Sequence, residues 1–558
     1  MEKKQRKLRS DEPFGVSWAE RRALLKGLGL TDNDLAKPQV AVISSWSSIN
    51  PGHVHLNELA DYVEKGVKES GGQPHRFNTI GLCDGIALVG AEYILPSRDL
   101  IKHEVEVIVE AYKMDAVVML ATCDKIVPAY CMAAAMLDIP AVVVTGGYMK
   151  NGSLNGQRLN FIDVGRAVGK ATSNIISMEE CNCVISNACG QPGACGMMGT
   201  ANTMCIVAEA LGLSLPGNST MAAVSAEIRE LAAEAGRKVM ELWEKGITAR
   251  DIVTEKAVQN AIDVCMAVGG SSNSVVHIPG IAGSAELEMD VMDYLDKAST
   301  NTPLVLGVEP NGPYTMEEFD AAGGLKAVEK QIASKLNLDA LTVTGKTLGE
   351  NIADAQIKDA EIIHDLAHPL SNEGALCVLR GNLAPDGAVV KQSAVCEEML
   401  AHRGPARVFN SNEEAIEGLR NGTIKEGDVV IIRFCGAKGG PGLITTFMFT
   451  SELAGSSLNG KVALITDGRF SGATEGPCIG YASPEAAAYG PLLIVKNDDM
   501  INYDINKRSM MLELSDEEIK NRLDNVELNI DIKKGYMGVF QRCVGSVLKG
   551  AIVDGRNK

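Results

Sequence analysis

The sequence predicts an α/β protein whose N-terminal part contains a parallel sheet, and two observations carry this prediction. Short apolar runs alternate with segments of helical composition, and residues 116–120 and 142–144 are continuous apolar runs, as in strands buried on both faces. Residues 129–137 between them have helical composition, so this stretch is a βαβ unit. The composition, with 46% hydrophobic and 4% aromatic residues, agrees with an aliphatic globular protein.

The segments before this unit continue the alternation. Residues 21–29 look helical, and residues 40–44 form an apolar strand that ends in a polar turn. Residues 78–85 predict a short strand or turn that carries Asp84, and a helix is expected near residue 95 with Ser97 as its N-cap. Between these segments, apolar residues at helical spacing predict an amphipathic helix with Leu56, Leu59, Ala60, Val63 and Val67 on one face.

The segments after the unit begin with a stretch rich in Cys and Gly, residues 179–196, where we predict a loop. Residues 200–211 predict the next helix, with Gly212 at its C-terminal end. Cys195 would then lie just before a helix N-terminus, whose dipole stabilises a thiolate.

The character of the chain changes near residue 370. Helical segments such as 221–245 and 252–266 dominate before this point, whereas β-branched runs alternate with Gly and Pro turns after it. We therefore predict an N-terminal α/β domain, 1–370, that carries the candidate ligands, and a C-terminal domain, 371–558.

The charge and the cysteine content exclude several classes of protein. A formal charge of −18 argues against nucleic acid or an anionic membrane as the main partner. The basic N-terminus is not followed by an apolar segment, so we expect no secretory signal, and no apolar run approaches the ~18 residues of a membrane-spanning helix. We expect a cytoplasmic protein whose 14 cysteines are reduced thiols or metal ligands.

Three chemically active residues, Cys123, Asp124 and Lys125, follow the apolar run 116–120. Pro128 suits the first turn of the helix that comes next, so the triplet should lie at the carboxyl end of a parallel strand. Open α/β sheets bind their ligands at that end. The three residues alone leave a purely structural role open.

Cysteine and aspartate residues on separate loops suggest two kinds of metal site. Cys123 and Cys195 would suit a soft metal, and Asp84 and Asp124 would suit a hard cation beside it. Cys189 and Cys195 have five residues between them and do not form the usual C-x2-C zinc pattern. Hydrogen-bonded structural roles are favoured for His53, His55 and His277.

Ser471 lies in a turn, residues 466–474, that follows the apolar run 462–465. It could be an ordinary turn residue or an active-site base. The second role requires a lowered alcohol pKa, which a nearby divalent cation can supply.

Eight short blocks of sequence, spread over nearly the whole chain, are residues 51–56 (PGHVHL), 83–87 (CDGIA), 95–98 (LPSR), 123–126 (CDKI), 200–204 (TANTM), 211–218 (LGLSLPGN), 380–387 (RGNLAPDG) and 467–472 (DGRFSG). In this order they resemble the dihydroxy-acid dehydratase and phosphogluconate dehydratase family. Eight ordered blocks are far more specific than one Gly-rich loop.

The resemblance implies an N-terminal α/β/α domain, a C-terminal β-barrel-like domain, and a homodimer or dimer of dimers. It also implies a hydro-lyase that converts a 2,3-dihydroxy acid, a small molecule, to a 2-keto acid and water. We expect a substrate of the 2,3-dihydroxyisovalerate type, used in branched-chain amino acid biosynthesis. The alternatives are a sugar-acid dehydratase, or a paralogue that binds the cluster without magnesium-dependent activity.

The cofactors implied by the resemblance are an iron–sulfur cluster and Mg²⁺. Cys123 and Cys195 would bind the cluster, whereas Asp84, Asp124 and a carbamylated Lys125 would bind Mg²⁺. Carbamylation turns the cationic side chain into an anionic oxygen ligand. Ser471 would accept the proton from C2 of the substrate.

Two of the departures of the sequence from the family affect the implied cofactor ligands. Thr445 stands where the family has a glutamate that binds Mg²⁺, and losing this charge should weaken Mg²⁺ binding. Gly52 stands where members with a [2Fe-2S] cluster have a third cysteine. We therefore favour a [4Fe-4S] cluster, with Cys83 or Cys189 as the third ligand.

Overall fold

The computed structural model of the protein describes residues 7–172, 175–470 and 476–553. Within these residues, the N-terminal part contains a parallel sheet of four strands in the order β2-β1-β3-β4. Its strands are β1 (Gln39–Ser44), β2 (Gln73–Asn78), β3 (Ala116–Ala121) and β4 (Ala141–Thr145). Every residue of β1, β3 and β4 is buried, so the predicted α/β fold with a parallel sheet is confirmed.

The strand order places a switch point between β1 and β3. The chain moves from β1 to β2 on one side, then crosses and moves from β3 to β4 on the other side. The loops that leave β1 and β3 therefore diverge and open a crevice at the carboxyl ends of these strands.

Helices surround this sheet, as right-handed crossovers between parallel strands require. The helices of the N-terminal part are α1 (Val16–Gly27), α2 (Asp32–Leu35), α3 (Leu56–Glu69), α4 (Ile94–Tyr112), α5 (Ile126–Leu137), α6 (Phe161–Thr172), α7 (Met178–Asn187), α8 (Thr200–Ala210), α9 (Ala226–Lys245), α10 (Ala249–Ile252), α11 (Glu255–Ala267), α12 (Ser274–Ser284), α13 (Val291–Asn301), α14 (Met316–Ala321), α15 (Gly324–Gln331) and α16 (Leu348–Asn351). A short hairpin, β5 (Gly152–Leu154) and β6 (Gln157–Leu159), precedes α6.

Two local predictions were wrong. The stretch 179–196 is not all loop, because α7 occupies its first half and begins with a capping box between Ser177 and Glu180. Ser97 is not an N-cap, since α4 begins at Ile94 and the Ser97 hydroxyl donates to the Ile94 carbonyl at 2.7 Å.

A closed barrel forms the second part, and in the described residues its strand order is β10-β11-β12-β8-β7-β14-β13-β9. Its strands are β7 (Leu376–Gly381), β8 (Ala384–Lys391), β9 (Ala401–Phe409), β10 (Val429–Ile432), β11 (Ala463–Thr466), β12 (Cys478–Ser483), β13 (Met500–Asp504) and β14 (Ser509–Leu512). Its helices are α17 (Asn412–Arg420), α18 (Phe447–Ala454), α19 (Asp516–Asp524) and α20 (Gly535–Cys543). The C-terminal barrel implied by the resemblance is therefore confirmed, whereas the limits 1–370 and 371–558 stay a prediction.

The two parts are joined by a buried ion cluster. Arg98 and Asp99 of α4 are 0% exposed and pair at 2.7 Å, and Lys102 lies 3.2 Å from Asp99. Arg98 also donates to the carbonyls of Gly550 and Ala551, at 2.7 and 2.9 Å. The C-terminal segment is thus fixed to the first half of the chain. No helix in the described residues has both the length and the apolarity to cross a membrane.

Candidate functional site

The triplet Cys123, Asp124 and Lys125 lies where the sequence predicts it, at the carboxyl end of β3 beside the switch point. α5 begins immediately afterwards at Ile126, and Pro128 occupies its first turn without losing a helical hydrogen bond. All three residues therefore face the crevice region in which open α/β sheets hold ligands.

The loop after β1 supports Cys123. The Cys123 backbone N–H donates to His53 Nε2 at 3.2 Å, so His53 Nδ1 carries the proton and donates to the Ser45 carbonyl at 2.7 Å. Burial lowers the pKa of His53 to about 4, so this ring stays neutral. The Cys123 sulfur also lies 3.4 Å from Asn50 Oδ1, within hydrogen-bond distance. His53 thus has the hydrogen-bonded role that the sequence analysis favoured.

Three cysteines, Cys83, Cys123 and Cys195, form what we call the cysteine group. The Cys123 thiol hydrogen-bonds to Cys83, which lowers the pKa of Cys83 to about 7. The same bond, together with burial, raises the pKa of Cys123 well above its usual value. Cys195 is close enough for its charge to raise the pKa of Cys123 further. Cys83 therefore ionises more easily than an ordinary cysteine, whereas Cys123 and Cys195 ionise less easily.

Backbone hydrogen bonds hold the loop of Cys195 against this site. Gly193 N–H donates to the Pro51 carbonyl at 3.0 Å, and Ala194 N–H donates to the Gly147 carbonyl at 2.9 Å. Burial is the main cause that raises the pKa of Cys195 to about 12, with the negative charge of Asp124 next. The expected stabilisation of a Cys195 thiolate by a helix dipole is wrong, because α8 begins at Thr200 and this effect does not extend beyond the first turn.

The two cysteines considered as a third ligand differ in position. Cys83 is half-buried and contacts Cys123 directly, whereas Cys189 is exposed and its backbone bridges to Asn151. Gly52 also lies against the group: a Cβ at this position would come within 2.8 Å of Cys123 Sγ. A cysteine at position 52 would therefore reach the same place, and glycine leaves that space open.

Two carboxylates meet beside the cysteine group. Asp84 and Asp124 hydrogen-bond to each other, and burial together with the charge of Asp84 raises the pKa of Asp124 to about 6. Burial also acts to raise the pKa of Asp84, but the cations Lys125 and Arg469 outweigh it and lower the net value. Asp84 is therefore the ionised partner, and a bound cation would allow both to ionise.

Lys125 is buried, with 2% of its surface exposed, and lies between these carboxylates. Its Nζ is 3.6 Å from Asp84 Oδ2 and 3.6 Å from Asp124 Oδ2, which is too long for a hydrogen bond. Among the described residues Nζ has no hydrogen-bond partner. A buried, unsatisfied amine of this kind is costly, and chemical conversion of the amine would relieve the cost.

The barrel contributes Arg469 to the site. Its Nη1 donates to Asp84 Oδ2 at 3.3 Å, and its Nε donates to the Leu443 carbonyl at 3.1 Å. Thr445 is half-buried, lies beside Arg469 in a parallel bridge, and its hydroxyl accepts from Phe447 N–H at 3.3 Å. Ser471 follows two residues after Arg469 in the chain and lies outside the described residues.

Sequence reasoning missed the roles of Arg469 and Asn50, whereas His277 has the hydrogen-bonded structural role that was favoured for it. His277 is buried, and its Nδ1 accepts from Arg98 Nη1 at 3.3 Å. Asn50 lies next to the family block 51–56, and Arg469 lies inside the block 467–472. The blocks therefore indicated where these residues are in the sequence, but not which residues they contact. Among the described residues, no three His, Cys, Asp or Glu side chains stand in a ready-made metal-binding arrangement.

Comparison with known proteins gives full-length matches. The family models described as Dihydroxy-acid/6-phosphogluconate dehydratase N-terminal and C-terminal match residues 37–351 and 361–551. The dihydroxy-acid dehydratase of Methanococcoides burtonii is 45% identical over 552 residues, which cover 98% of this chain and 100% of that protein. The dihydroxy-acid dehydratase of Caldanaerobacter subterraneus is 47% identical over 543 residues, which cover 96% of this chain and 98% of that protein.

Proposed function

The chain belongs to the dihydroxy-acid/6-phosphogluconate dehydratase family, and on that basis we propose a hydro-lyase that converts a 2,3-dihydroxy carboxylic acid to a 2-keto acid. The proposed substrate is of the 2,3-dihydroxyisovalerate type, within branched-chain amino acid biosynthesis. One observation carries the proposal: a soft donor set, the cysteine group, and a hard donor set, Asp84 with Asp124, adjoin at the switch point of the sheet.

The cysteine group fits an iron–sulfur cluster, because thiolates are the ligands such clusters take. We propose Cys83, Cys123 and Cys195 as the ligands, with Cys83 preferred to Cys189 because it contacts Cys123. Three protein ligands favour a [4Fe-4S] cluster with one open iron. When bound, such a cluster would supply a Lewis acid for the departing hydroxyl of the substrate.

Asp84 and Asp124 fit one hard cation, for which we propose Mg²⁺. The unsatisfied Nζ of Lys125 supports carbamylation, since the carbamate would replace a buried positive charge with oxygen ligands facing the same carboxylates. A bound Mg²⁺ would supply positive charge that attracts the substrate carboxylate and polarises the C2 hydroxyl. Arg469 would hold Asp84 in the ionised form that this site needs.

We propose Ser471 as the base that takes the proton from C2. It lies two residues after Arg469 in the sequence, and a divalent cation bound near it would lower the pKa of its alcohol. The protein is further proposed to act on a small molecule as a cytoplasmic homodimer or dimer of dimers.

The test is keto-acid formation by anaerobically purified, iron-reconstituted protein. We expect 2-keto acid from 2,3-dihydroxyisovalerate, and Ser471→Ala should lower the rate by about 100-fold or more, the contribution typical of a general base. Keto acid from sugar acids alone would identify a sugar-acid dehydratase. No keto acid from any substrate in the panel would refute the enzymatic proposal.

The cluster ligands are tested separately through iron content and visible absorbance. Cys83→Ser should lose the cluster, whereas the matched variant Cys189→Ser should retain it, because only Cys83 contacts Cys123. The reverse result would make Cys189 the third ligand.

Thr445 favours a second candidate, a family member that binds the cluster without magnesium-dependent activity. A carboxylate at this position would add the missing charge, so Thr445→Glu should raise Mg²⁺ affinity by about tenfold, with Thr445→Gln as the uncharged control. Calorimetry with Mg²⁺ and the keto-acid assay measure the two effects. If Thr445→Glu changes neither, and the parent protein holds iron but no Mg²⁺, the second candidate is the better description.

A further inference from the structure

A cavity of about 120 Å³ lies in the second part of the protein, away from the residues of the candidate functional site. One wall is the chain around the end of β12, from Ala482 to Glu485, and the other is the segment 544–547 before the C-terminus. No residue that lines it belongs to the cysteine group or to the Asp84, Asp124, Lys125 and Arg469 cluster. The cavity is therefore separate from the candidate functional site.

Two charges of opposite sign line this cavity, on Lys438 and Asp386. Asp386 is exposed and accepts from the Ser483 hydroxyl at 3.0 Å, which in turn lies 3.3 Å from the hydroxyl of Ser546. The Lys438 ammonium forms no ion pair with any described residue. Asp386 can thus receive a cation and Lys438 an anion, each with polar groups nearby.

The rest of the lining is apolar and small. Val544 and Val547 are 5% exposed, and Ala482 is 2% exposed, so aliphatic groups form the inner surface. A dry cavity of roughly 150 Å³ holds benzene, which has six heavy atoms, so a cavity of about 120 Å³ accepts about five. A short branched aliphatic chain of this size would fill the cavity, and charged groups attached to it would lie toward Asp386, which is exposed, and Lys438, which is half-exposed.

Glu485 also lines the cavity, but its carboxyl is neutral and does not repel a bound anion. Its Oε1 accepts from Lys438 N–H at 2.8 Å, and its Oε2 is buried without a hydrogen-bond partner among the described residues. Burial, followed by the charge of Asp467, raises the pKa of Glu485 to about 8, so at neutral pH the carboxyl carries a proton. The negative charge within the cavity is therefore confined to Asp386 near its opening.

From this arrangement we propose that the cavity is a binding site for a small aliphatic α-amino acid. Its carboxylate would pair with Lys438, its ammonium with Asp386, and its side chain would lie against Val544 and Val547. Neither the proposed reaction nor its cofactors enter this argument.

The backbone around Lys438 leads from the cavity to the candidate functional site. Asp467 accepts from the N–H groups of Cys435 and Ala486, at 2.8 and 3.0 Å, and so ties the segments that contain Lys438 and Glu485 to the strand that precedes Arg469. The segment 434–446 continues from Lys438 to Thr445. A ligand that orders Lys438 should therefore also protect the backbone of this segment.

The experiment is isothermal titration of the full-length protein with L-valine and L-isoleucine, combined with hydrogen exchange. We expect saturable millimolar binding at one site per chain and slower exchange in 434–446 and 544–547. Isovalerate, which lacks the amine, and isobutylamine, which lacks the carboxylate, should each bind about tenfold more weakly or worse.

Variants locate the binding. Lys438→Met and Asp386→Asn should each weaken valine binding by about tenfold or more, whereas Lys461→Met, at an exposed surface pair, should not. Val547→Phe, which fills the cavity, should abolish binding and serves if either charge variant fails to fold. The absence of saturable binding, or binding that none of these variants changes, would overturn the proposal. Because no step measures dehydration, the result is independent of the proposed function.

Discussion

Glu485 shows how one buried carboxyl can make stability depend on pH. Its carboxyl has an ordinary pKa of 4.5, and burial next to Asp467 raises the pKa in the folded protein to about 8. Between these values the folded protein keeps a proton that the unfolded chain has lost. The free energy of unfolding therefore falls as the pH rises through this window, because ionisation would leave a buried carboxylate.

Replacing Glu485 by Gln should remove this dependence. The neutral amide cannot ionise, so Glu485→Gln should lose less stability than the parent between about pH 5 and pH 8, with a slope difference of at most about 1.4 kcal/mol per pH unit. Thermal melting followed over this pH range measures the difference. Parallel pH profiles for the two proteins would show that Glu485 keeps its ordinary pKa.

At the residue scale, the sequence predicted where individual site residues lie in the fold, but not which residues they contact. Cys123, Asp124 and Lys125 could be placed because a strand end is a local pattern, and the structure has them there. The contact of Asp84 with Arg469 could not be found this way, because it depends on how the barrel packs against the sheet. Ser471 lies outside the described residues, so its role stays a proposal.

At the scale of elements, the packing of α3 against α9 depends on two glycines. A Cβ on Gly66 would come within 1.9 Å of the Ala233 carbonyl oxygen, and one on Gly236 within 2.2 Å of the Val63 carbonyl oxygen. The two helices therefore approach backbone to backbone. Neither position tolerates a methyl group unless the helices move apart.

Gly66→Ala should therefore destabilise the protein, by about 1–3 kcal/mol as is typical of overpacking. Gly165→Ala is the matched control, since Gly165 lies inside α6 with no atom within 4 Å of its would-be Cβ. The control should stabilise by about 0.5–1 kcal/mol through helix propensity. Melting temperatures of the two variants should move in opposite directions, and a shift in the same direction would contradict the close approach.

Elements were predictable where periodicity was strong. The apolar spacing of α3 agrees with its buried residues, which include Leu56, Leu59 and Val63. α7 was missed because the cysteines and glycines of residues 179–196 suggested a loop, although Ser177 and Glu180 form a recognisable capping box. In α4 the Ser97 hydroxyl bonds within the helix, a use of serine that sequence alone does not separate from capping.

At the scale of the whole molecule, the ion cluster of Arg98 and Asp99 holds the C-terminal segment in place. Arg98→Leu would leave the carbonyls of Gly550 and Ala551 unpaired and remove a buried partner of Asp99. We expect a loss of about 3–5 kcal/mol.

A thermal melt and hydrogen exchange of residues 550–553 measure this loss. Arg420→Leu is the control, because Arg420 and Glu452 form an exposed pair worth at most about 1 kcal/mol. If the two variants melt at the same temperature, the buried cluster does not hold the two parts together.

The parallel sheet could be predicted from local sequence patterns, but the barrel could not. The parallel sheet followed from the order of apolar runs, because each strand and crossover is local in sequence. The barrel was reached only through the family resemblance, since strands such as β7 and β14 pair across many intervening residues. Packing of the two parts against each other leaves no periodic trace in the sequence. The resemblance alone therefore brought residues of both parts into one site, and the contact of Asp84 with Arg469 was not predicted.

The contact between Asp84 and Arg469 can form only some time after Asp84 has been synthesised. The two residues are 385 positions apart. At a synthesis rate of about 5–20 residues per second, the ribosome adds the arginine roughly 20 to 80 s after the aspartate. Throughout that interval the nascent chain carries its thiols and carboxylates without the counter-charge from the barrel. Metal loading during translation would meet a site of different charge from the finished one.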